Sequence, residues 1–519
     1  MDENFNEFLD DDDREYEERR KKRQKRRRRA AMQRTFFFIV LILLLAAAAA
    51  VAIKVLMDKN MLSFGSQSGA GQVQTELQPE TAAIPVETEP ETTIPVTEVQ
   101  TEAPVADNSA IIEEARYMAA GYDYDGAIAL LKTVPSYESD PQITAAISEF
   151  EETKATCVAV DVYTVPHIFY HSLINDTDRA FNVSVLGQGQ VDGMNAWMTT
   201  IEEFDKITQT MYDNGYVFVR LRDLVVETTD ANGNVTFTAN TNLMLPPGKK
   251  AVVLSIDDLS YYHSYEAAGY PEKLVLDENG DVKCLYYTSD GEQHIGDYDV
   301  VPRLNTFLEE HPDGAYKGAR GLIAMTGYNG VFGYRTDADY EEQNNLMSDQ
   351  RKWLDEHPDY NRDTEIAEAT KIADAIKESG WEFASHTWGH LSVTQKTLDE
   401  LKVDNEKWVN NVQNIVGEVD TIIFAHGNDI GSWEGYSDDN ELYQYFKSAG
   451  YNYYCNVDSS QPYWVQITSD YVRQGRINLD GYMLYKSSRG ETTVIDDMFL
   501  ASQVFDSRRP TPVVANGES

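Results

Sequence analysis

The sequence predicts an α/β domain built on a parallel sheet or barrel, preceded by one membrane-spanning helix, a disordered stalk and a small all-α segment. Three observations carry this. From Val158 onward, short apolar runs with strand character alternate with helical stretches. Phe36 to Ile53 contains no charged or polar side chain. Between these regions, Asn60 to Asp107 is rich in Thr, Glu, Pro and Val and has no basic residue.

The bulk properties agree. A chain of 519 residues, 42% hydrophobic, exceeds one compact core and forms several units. With 86 acidic against 44 basic residues, the net charge of -42 excludes a nucleic-acid partner, because phosphate binding needs clustered Lys and Arg. Cys157, Cys284 and Cys455 are odd in number and far apart, which predicts buried free thiols rather than a disulfide framework.

Residues 1–34 read as a charged cytoplasmic tail, with an acidic run at Asp10–Asp13 followed by a basic run at Arg19–Arg29. Residues 35–57 read as the membrane helix. Its apolar stretch spans about 27 Å at the rise of an α-helix, close to the hydrocarbon thickness of a bilayer. The basic cluster before it places the N-terminus in the cytoplasm and the rest of the chain outside, as a single-pass cell-membrane protein. A cleaved signal peptide is the rival reading, with Ala46–Ala50 offering small residues. The long charged region and long apolar run favour an uncleaved anchor. Residues 58–107 form the stalk, which proline stiffens and like charge extends.

Residues 108–157 read as short helices, with Asp123 or Asp125 as one N-cap and Asp140 before Pro141 as another. This segment resembles a tetratricopeptide unit. One such unit cannot bury a stacked core, so a helical spacer docked on the main domain is the favoured reading. Within 158–519 the strand-like runs are 167–170, 216–219, 251–256, 320–325, 381–384, 420–425 and 452–457. Helical stretches are expected at 200–213, 364–379, 397–415 and 438–449. Gly215, Gly380 and Gly450 fall between a helix and the next strand, where a left-handed cap is needed. Function in such folds gathers at the carboxyl ends of the strands.

Two groups of residues stand at such ends. Asp257 and Asp258 close the run AVVLSIDD, where adjacent buried acids are costly unless a cation neutralises them. A surface acid pair opening a loop is the plainer alternative. His386 and His390 lie in WEFASHTWGHLSV, spaced to face one metal if the segment is helical or tightly turned. Two structural loop histidines would be the plainer reading there. Two imidazoles and one carboxylate would leave positions open for water and substrate, as catalytic rather than structural metal sites do.

Taken together these residues resemble the polysaccharide deacetylase superfamily, carbohydrate esterase family four, in its membrane-anchored Gram-positive surface form. Asp257-Asp258 match the family's first motif and SHTWGH its second. VPHIFYHSLI, EEFDKITQTMYDNGYVFVRLRDLV and FKSAGYNYYCNVD look like flanking strand and helix units, so the resemblance covers about residues 160–480. It implies a distorted (β/α)7-type barrel. It also implies Asp257 as general base, with Asp258, His386 and His390 holding a divalent metal, zinc by preference. The implied reaction is hydrolysis of acetyl groups, N-acetyl before O-acetyl, on a cell-wall or envelope polysaccharide.

The chain departs from the family in several places. Leu259 stands where Gly usually follows the two acids. IIFAHGNDIG lacks the Arg of the third motif, and Arg335 in GYRTD is a candidate replacement. GRINLDGYML lacks the His of the fifth motif, which leaves the general acid to His426 first, then His171 or His263. Residues 262–320 form an insertion whose KLVLDENGDVKCLYYTSDGE reads as a β-hairpin with an Asn-Gly turn, placed to cover the site or shape its specificity. The missing motifs keep open a catalytically weak or inactive protein of this fold that binds glycan or a surface partner. A metal-dependent amidase or esterase with a non-glycan substrate is the third reading.

The topology makes one prediction. Protease added to intact cells should cut within 60–107 and release the outer domain to the supernatant, as followed by immunoblot. Protection of the domain would reverse the orientation.

Overall fold

The computed structural model describes residues 108–515, except Ser136 and Asn232. The expected tail (1–34), membrane helix (35–57) and stalk (58–107) lie outside the described residues. Among the described residues no helix is long and apolar enough to cross a membrane.

Seven parallel strands close into a barrel. They are β1 (His167–Tyr170), β2 (Lys250–Asp257), β3 (Leu322–Met325), β4 (Glu382–Ser385), β5 (Thr421–Ile423), β6 (Tyr453–Val457) and β7 (Val472–Asn478). Around the ring the order is β3-β4-β5-β6-β7-β1-β2, and β2 pairs back onto β3. The run at 216–219 is not one of the seven. Its strand, Tyr216–Phe218, pairs with the first residues of β2 from outside the ring. β7 takes that place, and its sequence VRQGRIN has no apolar run to announce it. The ring is uneven. β7 meets β1 only through Ile477 and Asn478, while its lower half pairs antiparallel with Trp464–Ile467.

Strand alternation explains both faces of the wall. On β2, Val252, Leu254 and Ile256 face an outer core shared with the surrounding helices. Ala251 and Val253 belong to a second core, which also takes in Ala324, Ala384, Tyr453, Cys455 and Val472 from other strands. Beyond them on the same faces come Ser255 and Asp257 on β2, and Gln474, Arg476 and Asn478 on β7. The interior is therefore apolar at the amino ends of the strands and polar at the carboxyl ends.

The N-terminal helices are α1 (Ser109–Ala120), α2 (Tyr124–Leu131) and α3 (Pro141–Thr156). Asp123, not Asp125, caps α2, and Asp140 caps α3 by accepting from Gln142 and Ile143. Ile112, Leu131 and Phe150 join the second core, so these helices pack on the barrel rather than on one another alone. Next come α4 (Gln188–Trp197) and α5 (Ile201–Asp213), the latter with a Thr200/Glu203 capping box. The insertion forms a three-stranded antiparallel sheet, Lys273–Leu276, Val282–Tyr287 and Gln293–Gly296, followed by α6 (Val300–Glu310). The remaining barrel helices are α7 (Arg362–Glu378), α8 (Leu398–Trp408), α9 (Glu441–Ser448) and α10 (Gly481–Ser488). The expected helix 397–415 loosens after Trp408 into a wider turn at Val409–Gln413. Gly215, Gly380 and Gly450 all have positive φ, 82°, 102° and 105°, as caps between helix and strand require. All three cysteines are free and buried.

The C-terminal tail is fastened by one buried residue. Arg509 donates to both oxygens of Glu203, at 2.7 and 2.6 Å, and to the carbonyls of Asn195 and Met198. Both side chains are fully buried. Arg509→Met strands the Glu203 carboxylate and should cost about 3–5 kcal/mol in urea unfolding. Adding Glu203→Leu should recover part of that loss.

Candidate metal centre and its cleft

Asp258, His386 and His390 each offer one ligand atom, and these atoms lie within 4.8 Å of one another. Three strands deliver the cluster and its neighbours to one end of the barrel. Asp257 ends β2 and Asp258 follows it; His386 follows β4; His426 follows β5. The SHTWGH segment is a tight turn rather than a helix. Thr387 and His390 have φ of 62° and 52°, Asp258 has 60° and His426 has 59°. Four non-glycine residues in the left-handed region at one site store strain that the surroundings must hold. Asp404 on α8 holds the turn by accepting from the backbone N–H of Trp388 at 2.7 Å and of Gly389 at 2.8 Å.

Further partners aim the ligands. His386 Nδ1 is 2.7 Å from the carbonyl of Ile423, so it carries the proton and leaves Nε2 as a lone-pair donor. Burial, opposed by Asp257 and Asp258, pushes His386 down to about 4, so it is neutral at physiological pH, as a ligand must be. Tyr262 donates to Asp258 Oδ1 at 2.7 Å, while Oδ2 faces His390 Nε2 at 3.5 Å. Burial raises the Asp258 carboxyl, but His390 and His386 outweigh it and hold it below its ordinary range. This donor set fits a divalent cation of the zinc type.

Asp257 stands beside the cluster, its Oδ2 3.8 Å from His386 Nε2. Arg476 of β7 grips both its oxygens, Nη1 to Oδ1 at 2.7 Å and Nη2 to Oδ2 at 2.9 Å. Burial opposes ionisation, but the guanidinium prevails and holds this carboxyl far below the usual range. Beneath the pair, Arg476 Nη1 also reaches Ser255 Oγ at 3.1 Å, and Ser255 meets the buried His167 at 3.0 Å. The Arg paired with Asp257 is thus Arg476 and not Arg335. Arg335 is buried elsewhere, donating to the carbonyls of Tyr261 and Asn329. Leu259 packs into the outer core.

The cluster opens into a cleft of about 680 Å³. His171 and His426 both line it, and the rings of His426 and His390 lie 4.3 Å apart. His426 Nε2 meets the carbonyl of His390 at 3.1 Å. His263 is not at the cleft; it is bound between Glu266 and Tyr340. The antiparallel sheet of the insertion does not line the cleft either, and Tyr265, ahead of it, does. Sequence reasoning also missed Tyr262, Asp404 and a wall made by Trp197, Met198 and α10. None of these carries a local motif; they are brought in by the closure of the barrel.

Removing Arg476 leaves a buried, unpaired carboxylate. Arg476→Met should destabilise the metal-stripped protein by about 3–5 kcal/mol at neutral pH. In wild type Asp257 has a depressed folded pKa, so its contribution is present above the ordinary carboxylate range and is lost as pH falls below it. In the variant the same carboxyl is raised, so protonation should relieve the cost. The deficit in urea unfolding should shrink as pH falls from 7 toward 4, and a pH-independent deficit would contradict the pairing.

No protein-family model matches the chain, and no curated protein matches it. Among solved structures it is similar to a Streptococcus pyogenes deacetylase, PplD, in complex with acetate, at 14% identity and a TM-score of 0.30. That match covers 62% of this chain and 93% of the other.

Proposed function

We propose that the chain is a metal-dependent deacetylase that hydrolyses acetyl groups, N-acetyl before O-acetyl, on a cell-wall or envelope polysaccharide. The observation that carries this is the placement of an ionised carboxylate, Asp257, beside an open set of two imidazoles and a carboxylate, at the floor of a cleft. The uncharged stretch Phe36–Ile53 after a basic cluster supports a single-pass membrane anchor, with this domain outside and the wall polymer as its partner.

Asp258, His386 and His390 would hold the cation, and a zinc-like ion there would supply Lewis acidity to a water and to an acetyl carbonyl. Asp257 is the base that takes the proton of the attacking water. Arg476 keeps it ionised across the working pH range and fixes its orientation. Asp404 and Tyr262 hold the turn and the ligand carboxylate still, so little reorganisation remains for the reaction. The leaving amine needs a proton. His426 is the first candidate, since its ring faces the cleft next to His390. Burial and the neighbouring His390 lower its proton affinity, so in this role it must first take up a proton and then passes it to the leaving amine. His171 is the second.

The test is acetate release from acetylated wall polysaccharides, with and without chelator. Asp258→Ala, His386→Ala and His390→Ala should each lose bound metal in elemental analysis. Asp257→Asn should keep metal and lose about 10²–10⁴-fold in turnover. His426→Ala should lower turnover with metal retained, and an unchanged rate transfers the acid role to His171. A metal-loaded protein that releases no acetate from any acetylated polymer would instead support a glycan-binding protein of this fold.

A further inference from the structure

One wall of the cleft has a composition that acetyl hydrolysis does not require. Tyr482 and Lys486 lie four residues apart on α10, which puts them on one face of the helix, and both line the cleft with Met483. Across from them stands Trp197 at the end of α4, its ring 6.0 Å from that of Tyr482 and tilted by 56°. The Nζ of Lys486 sits 5.0 Å from the centre of the Tyr482 ring. Trp197 is 36% exposed, a large apolar surface left facing the opening.

Lys486 belongs to the minority of described lysines with no carboxylate within 4.0 Å. Most described lysines have a carboxylate partner, as Lys206, Lys249, Lys283 and Lys317 do. Arg489, next along the chain and outside the cleft, is paired with Glu491 at 2.7 Å. Among the described residues no carboxylate lies within 4.0 Å of Lys486 Nζ, in a protein of net charge -42. The acids that line the same cleft are committed. Asp257 is held by Arg476, and Asp258 by Tyr262 and the ligand cluster. Asp480 caps α10 through Met483 N at 2.8 Å and accepts from Asn478 at 2.6 Å. Lys486 is thus a half-buried cation with no carboxylate partner within 4.0 Å among the described residues, over the ring of Tyr482.

We infer that this wall is a subsite for an anionic sugar, with Trp197 and Tyr482 against the apolar face of the ring and Lys486 paired with a carboxylate or phosphate on it. Apolar C–H faces of sugars pack on aromatic rings, whose area is gained at low conformational cost. A charge-assisted pair in a part-buried cleft is stronger and less screened than one on the open surface. The inference rests on the deacetylase reading for its chemistry but not for its binding. It narrows the substrate from any acetylated glycan to one bearing negative charge near the acetylated residue.

The experiment uses the metal-loaded full chain in detergent, with calorimetric titration and acetate release run side by side on three probes. These are a neutral N-acetylglucosamine tetramer, an oligomer alternating N-acetylglucosamine with N-acetylmuramic acid (the carboxylate arm), and an N-acetylglucosamine phosphate oligomer (the phosphate arm). At least one anionic probe should bind about tenfold or more tightly than the neutral one, as a charge-assisted hydrogen bond would give. Whichever arm shows the preference names the anion. Lys486→Ala should reduce that ratio to about twofold or less and Lys486→Arg should largely keep it. Trp197→Ala should weaken all three probes together. Equal binding of neutral and anionic probes, or a ratio untouched by Lys486→Ala, overturns the subsite. Anionic preference without acetate release would leave the subsite standing and remove the deacetylase reading; acetate release without that preference would do the reverse.

Discussion

The ion pair between Arg476 and Asp257 is the constraint on which the rest of the site depends. The two residues belong to β7 and β2, which are not neighbours; β1 runs between them. Arg476 reaches past β1 with its guanidinium 4.1 Å from the ring centre of Phe169. It does so beside the seam where β7 and β1 share only two paired residues. A buried pair of this kind repays desolvation only when its geometry is good and its remaining donors are satisfied. Here the contact is bidentate and Ser255 takes a further bond, while the buried Nε of Arg476 has no hydrogen-bond partner among the described residues. One interaction thus ties a weak stretch of wall together and keeps a carboxylate ionised inside the barrel.

The same logic governs the ligand side. Left-handed conformations at Asp258, Thr387 and His390 are unfavourable for residues with a Cβ, and they persist because Asp404, Tyr262 and the Ile423 carbonyl over-determine the geometry. Each of those partners comes from a different element. The site is therefore assembled by the fold as a whole, and its rigidity is a property of barrel closure rather than of the motif.

This explains what could be read from the sequence. The alternation of strands and helices, the glycine caps and the Asp257-Asp258 and His386…His390 pairs are local signals, and the structure brings those residues to one end of one barrel. The fold class was legible for that reason. The seventh strand was not, because the interior side of VRQGRIN carries Gln474, Arg476 and Asn478, whose partners (the Val165 carbonyl, Asp257 and Asp480) all lie outside the strand itself. Tyr216–Phe218 looked equally strand-like yet stops short of the ring. The Arg missing from IIFAHGNDIG was sought in GYRTD, and Arg335 was the wrong choice for a physical reason. Its guanidinium is held by the carbonyls of Tyr261 and Asn329 and lies 3.8 Å from Glu266, so it is turned away from Asp257.

The graded interior has a consequence for traffic. Below Asp257 the barrel is filled by Val253, Ala324, Ala384, Tyr453 and Cys455, and α1–α3 pack into the same core. A close-packed apolar floor offers a polar solute neither room nor hydrogen bonds. Whatever reaches the centre, whether solvent, cation or polymer, enters by the mouth near Trp197 and Tyr482, and under the proposed reaction the small anion formed there would leave the same way. A long chain lying across that doorway would trap the small product behind it, so the order of departure is set by how the polymer lets go.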